Sequence, residues 1–315
     1  MHRLALTIAL LGACATDQGP ARPGDADSDS DVEWPPPIAA EYAVSTGDWT
    51  VPAGEERSMC FFDEVDADGG GLAIIRYEAE MQEHSHHFNM GYVPRGAGVD
   101  LPRGLAECQY GDYLPVYLAG SQWPQVAIDL PDGKAIWLPD GAIVVLEAHF
   151  VNATEAEVPA RVDVRMTAVD PDLVVDYVGV YFNQMRSIEV GAGTTETLRA
   201  RCPAEEATNV WFLTSHMHHF GERFEISLYD DALGTTDLIY ESDDWSHPAT
   251  VDRRDDPIAI GPEQGFEWSC RYANPGPEPL VGGNSAETEE MCVMAAFYWP
   301  DTGHFQYCYA LPEAT

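Results

Sequence analysis

Short apolar or alternating runs recur along the chain from Tyr42 onward, among them Leu72 to Tyr77, Ile143 to Phe150, Val174 to Phe182, Val210 to Phe220 and Ala295 to Trp299. Turn clusters such as Asp68-Gly69-Gly70-Gly71, Pro139-Asp140-Gly141 and Asn274-Pro275-Gly276-Pro277 separate them. Strand-length runs bounded by Gly, Pro, Asn and Asp predict strands. No long stretch carries helical periodicity with caps. The expected fold is therefore all-β, with two antiparallel jelly-roll-like β-sandwich domains in tandem. The segment VDPDL, Val169 to Leu173, interrupts two strand-like runs near the middle of the chain and sets the expected boundary between a domain at 41–169 and one at 170–315. A chain of 315 residues is long enough for each to bury its own core.

The N-terminal stretch breaks this pattern. Arg3 precedes the apolar run Leu4 to Leu11, and Leu11-Gly12-Ala13-Cys14 resembles a bacterial lipoprotein signal ending in a lipobox. The run is too short to span a bilayer. Residues 1–13 are thus expected to be cleaved, with Cys14 carrying a lipid and the chain exported and anchored to the cell envelope, at the outer membrane or cell surface. An ordinary signal peptide with an incidental cysteine is the plainer alternative. Residues 14–40, rich in Asp, Ser, Pro and Gly, are expected to form a disordered tether.

Charge narrows the partners. Fifty-three acidic against 16 basic residues give a formal charge of −37, which argues against nucleic acid and against electrostatic attachment to anionic lipid. The membrane is then reached only through the anchor at Cys14, and most of the charge reads as a solvated, salt-adapted surface. Oligomeric state is not indicated.

Seven of the ten histidines fall in three places: His84, His86 and His87; His149; and His216, His218 and His219. A metal needs ligands converging from different elements, and imidazole is the commonest of them. On a strand, side chains alternate faces. Phe212, Thr214, His216 and His218 therefore share one face and the last two can chelate one ion, while Glu147 and His149 share a face opposite Val144, Leu146 and Ala148. His86 and His87 are adjacent, so a bulge or strand end is needed for both to reach one metal; by alternation alone His84 and His86 form the better pair. In Glu289-Glu290-Met291-Cys292-Val293-Met294, alternation places Met291 opposite Cys292, and its thioether would select copper over zinc. Packing in the core is the plainer role for that methionine. Isolated His247 and His304 are set aside.

Removing Cys14 leaves six cysteines, Cys60, Cys108, Cys202, Cys270, Cys292 and Cys308. An even number in an exported chain suggests three disulfides, and no CxxC pair points to a zinc ribbon or redox centre.

Taken in order, Met59-Cys60, His86-His87 followed by FNMGY, LPDGAIVVLEAHF ending at His149-Phe150, SHMHHFG, and EEMCV followed by FYWPDTGHFQYC resemble the copper type II ascorbate-dependent monooxygenases, which include peptidylglycine α-hydroxylating and dopamine β-monooxygenases. The resemblance covers roughly residues 58 to 308. It implies two copper ions per chain: an electron-transfer copper held by His86, His87 and His149 in the first domain, and an oxygen-binding copper held by His216, His218 and Met291 in the second, parted by a solvent cleft. It overrules His84 as a ligand, gives no role to His219, and implies no catalytic residue beyond the metal ligands. It also implies the pairs Cys202–Cys308 and Cys270–Cys292, leaving Cys60 with Cys108. The implied activity is hydroxylation of a C–H bond of a small organic substrate with O₂ and a one-electron donor such as ascorbate. Thr214, Val293 and Ala295 stand where peptide-amidating members carry the Arg, Asn and Tyr that grip a substrate carboxylate. A C-terminal glycine peptide is therefore not the expected substrate.

Two alternatives remain open at this point: a non-catalytic copper-binding or copper-delivery lipoprotein, and an adhesive sandwich whose histidines bind zinc or nothing. In the second case Asp63, Asp66, Asp68 and Gly69 would suggest calcium, yet no Glu follows at EF-hand spacing and the cluster reads as an acidic turn.

Overall fold

The computed structural model describes residues 34–108, 115–261, 263–303 and 305–313. Residues 1–33, with the expected leader, Cys14 and most of the tether, lie outside them, as does His304.

The architecture is all-β. Alternation sets it locally: in the strand Val162–Val169, Val162, Val164, Met166 and Ala168 are buried at 0–2% exposure, while Asp163, Arg165 and Thr167 face away. This strand lies between Ala40–Ser45 and Leu72–Met81 in a sheet continued by Lys134–Leu138 and Asp176–Tyr177, with Gln125–Asp129 also pairing Leu72–Met81. A second sheet runs Gly104–Glu107, Glu56–Glu64, Ile143–Val151, Ser85–Val93, Val116–Ser121 and completes the first sandwich. In the second sandwich one sheet contains Val251–Asp252, Thr208–His216, Val293–Trp299, Gly179–Met185 and Gln306–Ala310, with Ile258–Ile260 at its edge. Its companion runs Thr195–Pro203, Gln264–Ala273, Gly221–Asp230, Thr235–Ser242. Among the described residues these strands pair antiparallel except where Asp176–Tyr177 meets Lys134–Leu138 and where Gln306–Ala310 meets Gly179–Met185, and Gly282 and Glu290 form an isolated parallel bridge.

The VDPDL segment forms a single 3₁₀ turn, Pro171–Leu173, because Pro171 fixes its first position and the Asp170 carboxylate accepts the Asp172 N–H at 3.1 Å. The chain does not change sandwich there. Asp176–Tyr177 still belongs to the first sandwich, and the second begins at Gly179. The acidic cluster is partly tied into ordinary structure: Asp63 accepts the Tyr42 hydroxyl, while Asp68 and Gly69 occupy a positive-φ turn.

The two sandwiches share apolar packing. One hydrophobic cluster combines first-sandwich residues such as Phe88, Leu118, Leu146 and Phe150 with Val178, Val180, Trp211, Phe212 and Phe297. Phe212 and Phe297 meet edge to face with ring centroids 5.8 Å apart. Truncating a ring buried at such a seam leaves a cavity as well as losing burial. Phe212→Ala is expected to lower unfolding free energy by about 3 kcal/mol, measured by denaturant titration; a change below about 1 kcal/mol would show that the seam adds little to stability.

Among the described residues three disulfides are present. Cys60–Cys108 ties an edge of the first sandwich, whereas Cys202–Cys308 and Cys270–Cys292 each join the two facing sheets of the second. These are the pairs the resemblance implies.

Candidate metal centre

The first histidine set is built by one strand pair. Along Ile143–Val151, Val144, Leu146, Ala148 and Phe150 are fully buried in the sandwich, which turns Glu147 and His149 to the other face. His87 is the direct register partner of His149. The register then passes from His149↔His87 to Phe150↔Ser85, so His86 is an extra residue with no partner across the ladder. That is the bulge the adjacent histidines require, and it brings both rings to His149. Ring centroids lie 4.9 Å apart for His86–His87, 5.2 Å for His86–His149 and 4.9 Å for His87–His149.

The second set sits where Thr208–His216 ends. His216 is the last residue of that strand, and His218 lies just beyond it in the segment leading to a turn, with their rings 5.0 Å apart. Strand alternation does not reach His218. Its position is instead set by the acids of the EEMCV motif: Glu290 accepts backbone N–H groups from His218 at 3.0 Å and Phe220 at 2.6 Å, and the Glu289 carbonyl lies 3.0 Å from His218 Nδ1. Glu290 is 1% exposed, and burial pushes its carboxyl up to about 7 against the opposing backbone hydrogen bonds.

The two sets meet. His86 lies 5.0 Å from His216 and 5.4 Å from His218, and His87 lies 4.9 Å from His216, centroid to centroid. The groups His86, His87, His149 and His86, His216, His218 each bring ring nitrogens within 4.8 Å of one another, so His86 is common to both. In place of the expected solvent cleft, the ligand sets form one cluster where the sandwiches join.

Polar groups around the cluster fix the rings. His149 Nε2 is 2.6 Å from Glu56, which also accepts the Ser285 hydroxyl at 2.8 Å and the Ala286 N–H at 2.6 Å from the second sandwich. Although burial opposes it, these hydrogen bonds hold the Glu56 carboxyl down at about 2. Gln122 donates to the Ser215 carbonyl at 3.0 Å and presents its amide oxygen to His216 Nδ1 at 2.8 Å. His86 Nε2, His87 Nδ1, His216 Nε2 and His218 Nε2 are buried with no hydrogen-bond partner among the described residues. Burial first, and the neighbouring imidazoles second, push the pKa values of His86, His87 and His216 well below their ordinary range. His218 falls to about 4, chiefly through burial. Imidazoles with unpartnered nitrogens, grouped in two sets that share His86, could hold a metal ion, and imidazole suits copper as it does zinc.

The remaining expected residues surround this cluster or lie apart from it. Thr214 pairs with Ala295, and His216 with Val293, across adjacent strands, so the three candidate substrate residues adjoin His216. Met291 lies before Val293–Trp299 and lines a pocket with Gln184, Arg186, Ser187 and Tyr309. His84 occupies a turn at φ 73°, outside both histidine groups. His219 is exposed and packs on Phe220 and Trp245. Trp245 in turn lies 5.7 Å from His86. His247 packs on Trp123, whose Nε1 donates to the Pro248 carbonyl. Sequence reasoning did not single out Glu56, Gln122 or Trp245. For Glu56 and Gln122 the contacts reach across 93 or more residues, which leaves no local pattern.

No family model matches this sequence, and no curated protein does. Among solved structures, the chain is similar to the PBSX exported protein XepA at 9% identity, covering 82% of this chain and 86% of that one with a TM-score of 0.22. It is also similar to a chain from the structure of infectious bursal disease virus Gx strain, at 12% identity, 85% and 74% coverage and a TM-score of 0.20. Likeness at those scores informs neither fold nor function.

Proposed function

We propose that this chain is an exported, lipid-anchored copper monooxygenase that hydroxylates a C–H bond of a small organic substrate with O₂ and a one-electron donor such as ascorbate. The observation that carries the reading is the convergence of five histidines from both sandwiches, with four buried ring nitrogens that have no hydrogen-bond partner among the described residues. The ordered resemblance to copper type II monooxygenases supports it from the sequence. Copper held by His86, His87, His149, His216 and His218 would supply one-electron redox chemistry and O₂ activation. The protein's own contribution is separate: Glu56, Gln122 and the Glu289 carbonyl orient three of the rings, and burial favours the unprotonated form of His86, His87, His216 and His218. Thr214, Val293 and Ala295 offer a hydroxyl and two apolar side chains beside His216 and no charge to pair with a carboxylate. A neutral or aromatic substrate group suits that surface better than a peptide C-terminus.

The burial of His86, His87, His149 and His218, each at 8% exposure or less, favours copper carriage as the second reading. Anaerobic loading with Cu(I), followed by O₂ uptake with ascorbate and a panel of aromatic amines, fatty amides and peptides, separates the two. Substrate-dependent uptake with a hydroxylated product is expected, falling at least 100-fold in His216→Ala. Copper binding with no uptake against any substrate would leave carriage.

A further inference from the structure

We propose that His86, His216 and His218 form a single metal site spanning the two sandwiches, with His86 as its third ligand in the place the resemblance gives to Met291. The inference rests on the reading of the cluster as a copper centre and goes further, by assigning the ligand set and making the site depend on both sandwiches. The three residues bring ring nitrogens within 4.8 Å of one another, and the Nε2 atom of each is buried with no hydrogen-bond partner. For two of them the outer nitrogen is accounted for. Gln122 is pinned by its own donation to the Ser215 carbonyl, which turns its amide oxygen to His216 Nδ1; that nitrogen must carry the proton, leaving Nε2 as a lone pair. His218 Nδ1 faces the Glu289 carbonyl, an obligate acceptor, with the same result. Two lone pairs aimed into a dry interface beside a third imidazole cannot satisfy one another. A cation meets that need.

His86 can serve this site because it is the bulged residue of its strand, free of the register that pairs His87 with His149. Met291 lies before the strand that begins after Cys292 and lines the pocket of Gln184, Arg186, Ser187 and Tyr309. The histidine group is complete without a thioether. Gln122, a first-sandwich residue, acts as a positioning residue for a second-sandwich ligand, so the site is assembled only while the sandwiches are joined.

The test uses the full mature chain loaded anaerobically with one equivalent of Cu(I), with X-ray absorption and competition against a Cu(I) chelator as readouts. Native protein and Met291→Ile should give the same nitrogen-only spectrum, and chelator-measured affinity should change less than about threefold between them. His86→Ala should weaken binding of that first equivalent at least tenfold, while His247→Ala, outside both histidine groups, should stay within about threefold. Gln122→Leu, which cannot accept from His216 Nδ1, should weaken it in the same direction. Copper–sulfur scattering in the native spectrum that disappears in Met291→Ile would overturn the proposal, and that comparison does not depend on how His86→Ala folds. Undiminished affinity in a folded His86→Ala would overturn it too. Nitrogen-only binding without O₂ consumption would instead remove the monooxygenase reading and leave this site standing.

Discussion

Acidifying the metal-free protein from about pH 7.5 to about pH 5.5 should lower its unfolding free energy by about 3 to 4 kcal/mol. His86, His87, His216 and His218 have folded pKa values below the ordinary 6.5, mainly because the charged form would be buried. As the pH falls through 6.5 the unfolded chain therefore takes up protons that the folded chain refuses, and stability is lost until the folded values are reached. Each such histidine contributes roughly 1 to 2 kcal/mol over this interval. Glu290 works in the other direction: its folded value is raised to about 7, so the folded state takes a proton first on acidification and offsets roughly 2 kcal/mol. Glu56, held at about 2, adds to the loss only at lower pH, as the pH falls through its ordinary carboxyl value of 4.5 toward the folded one. The histidines outnumber the buried acid, which decides the sign. Thermal melting of chelator-treated protein should fall by roughly 5 to 10 °C across the interval, and His216→Ala should show a shallower fall. A melting temperature that is flat or rises on acidification would mean that the rings are not held neutral in a closed cluster.

Much of this structure is legible along the chain, and the illegible part has a common cause. Alternation locates the strand carrying His149 almost residue for residue, since Val144, Leu146, Ala148 and Phe150 must face a core and His149 must then face away. It fails at His218, because the strand ends at His216 and a buried carboxylate, Glu290, governs the backbone from His218 to Phe220. The run Val174 to Phe182 reads as one strand, yet two elements divide it: Asp176–Tyr177 pairs with the first sandwich and Gly179–Met185 with the second. Adjacency of His86 and His87 reveals that a bulge is required, and the register shows His86 to be the bulged residue. The meeting of the two histidine sets has no signature in either half. It arises from Trp211, Phe212 and Phe297 packing into the first sandwich's core, which sets the distance between rings some 130 residues apart in the chain (86 to 216).

Replacing Cys202 and Cys308 by serine should be the costliest change to stability, and the other bridge of the second sandwich should rank lower in stability but higher in effect on metal binding. The Cys202–Cys308 bridge spans a sequence separation of 106, which corresponds to a loss of about 5 kcal/mol in the loop-entropy account. The Cys270–Cys292 bridge spans 22, corresponding to about 3 kcal/mol. A bridge acts mainly by restricting the unfolded chain, so the longer loop should dominate when unfolding is measured by denaturant. Metal affinity depends on position instead. Cys292 fixes the end of the segment whose Glu289 carbonyl and Glu290 carboxylate hold the ring and backbone of His218, and the Met291 carbonyl just before it accepts the Tyr272 hydroxyl at 2.8 Å. Cys202 and Cys308 join the sheets elsewhere in the second sandwich, on strands that carry none of the clustered histidines. Cys270→Ser with Cys292→Ser is therefore expected to lose the smaller share of stability and at least tenfold in affinity for copper, while the Cys202 and Cys308 pair of replacements shows the reverse order in conditions where both remain folded. If affinity falls in proportion to stability for both pairs, copper binding is reporting global folding alone, and Glu289 and Glu290 have no specific hold on His218.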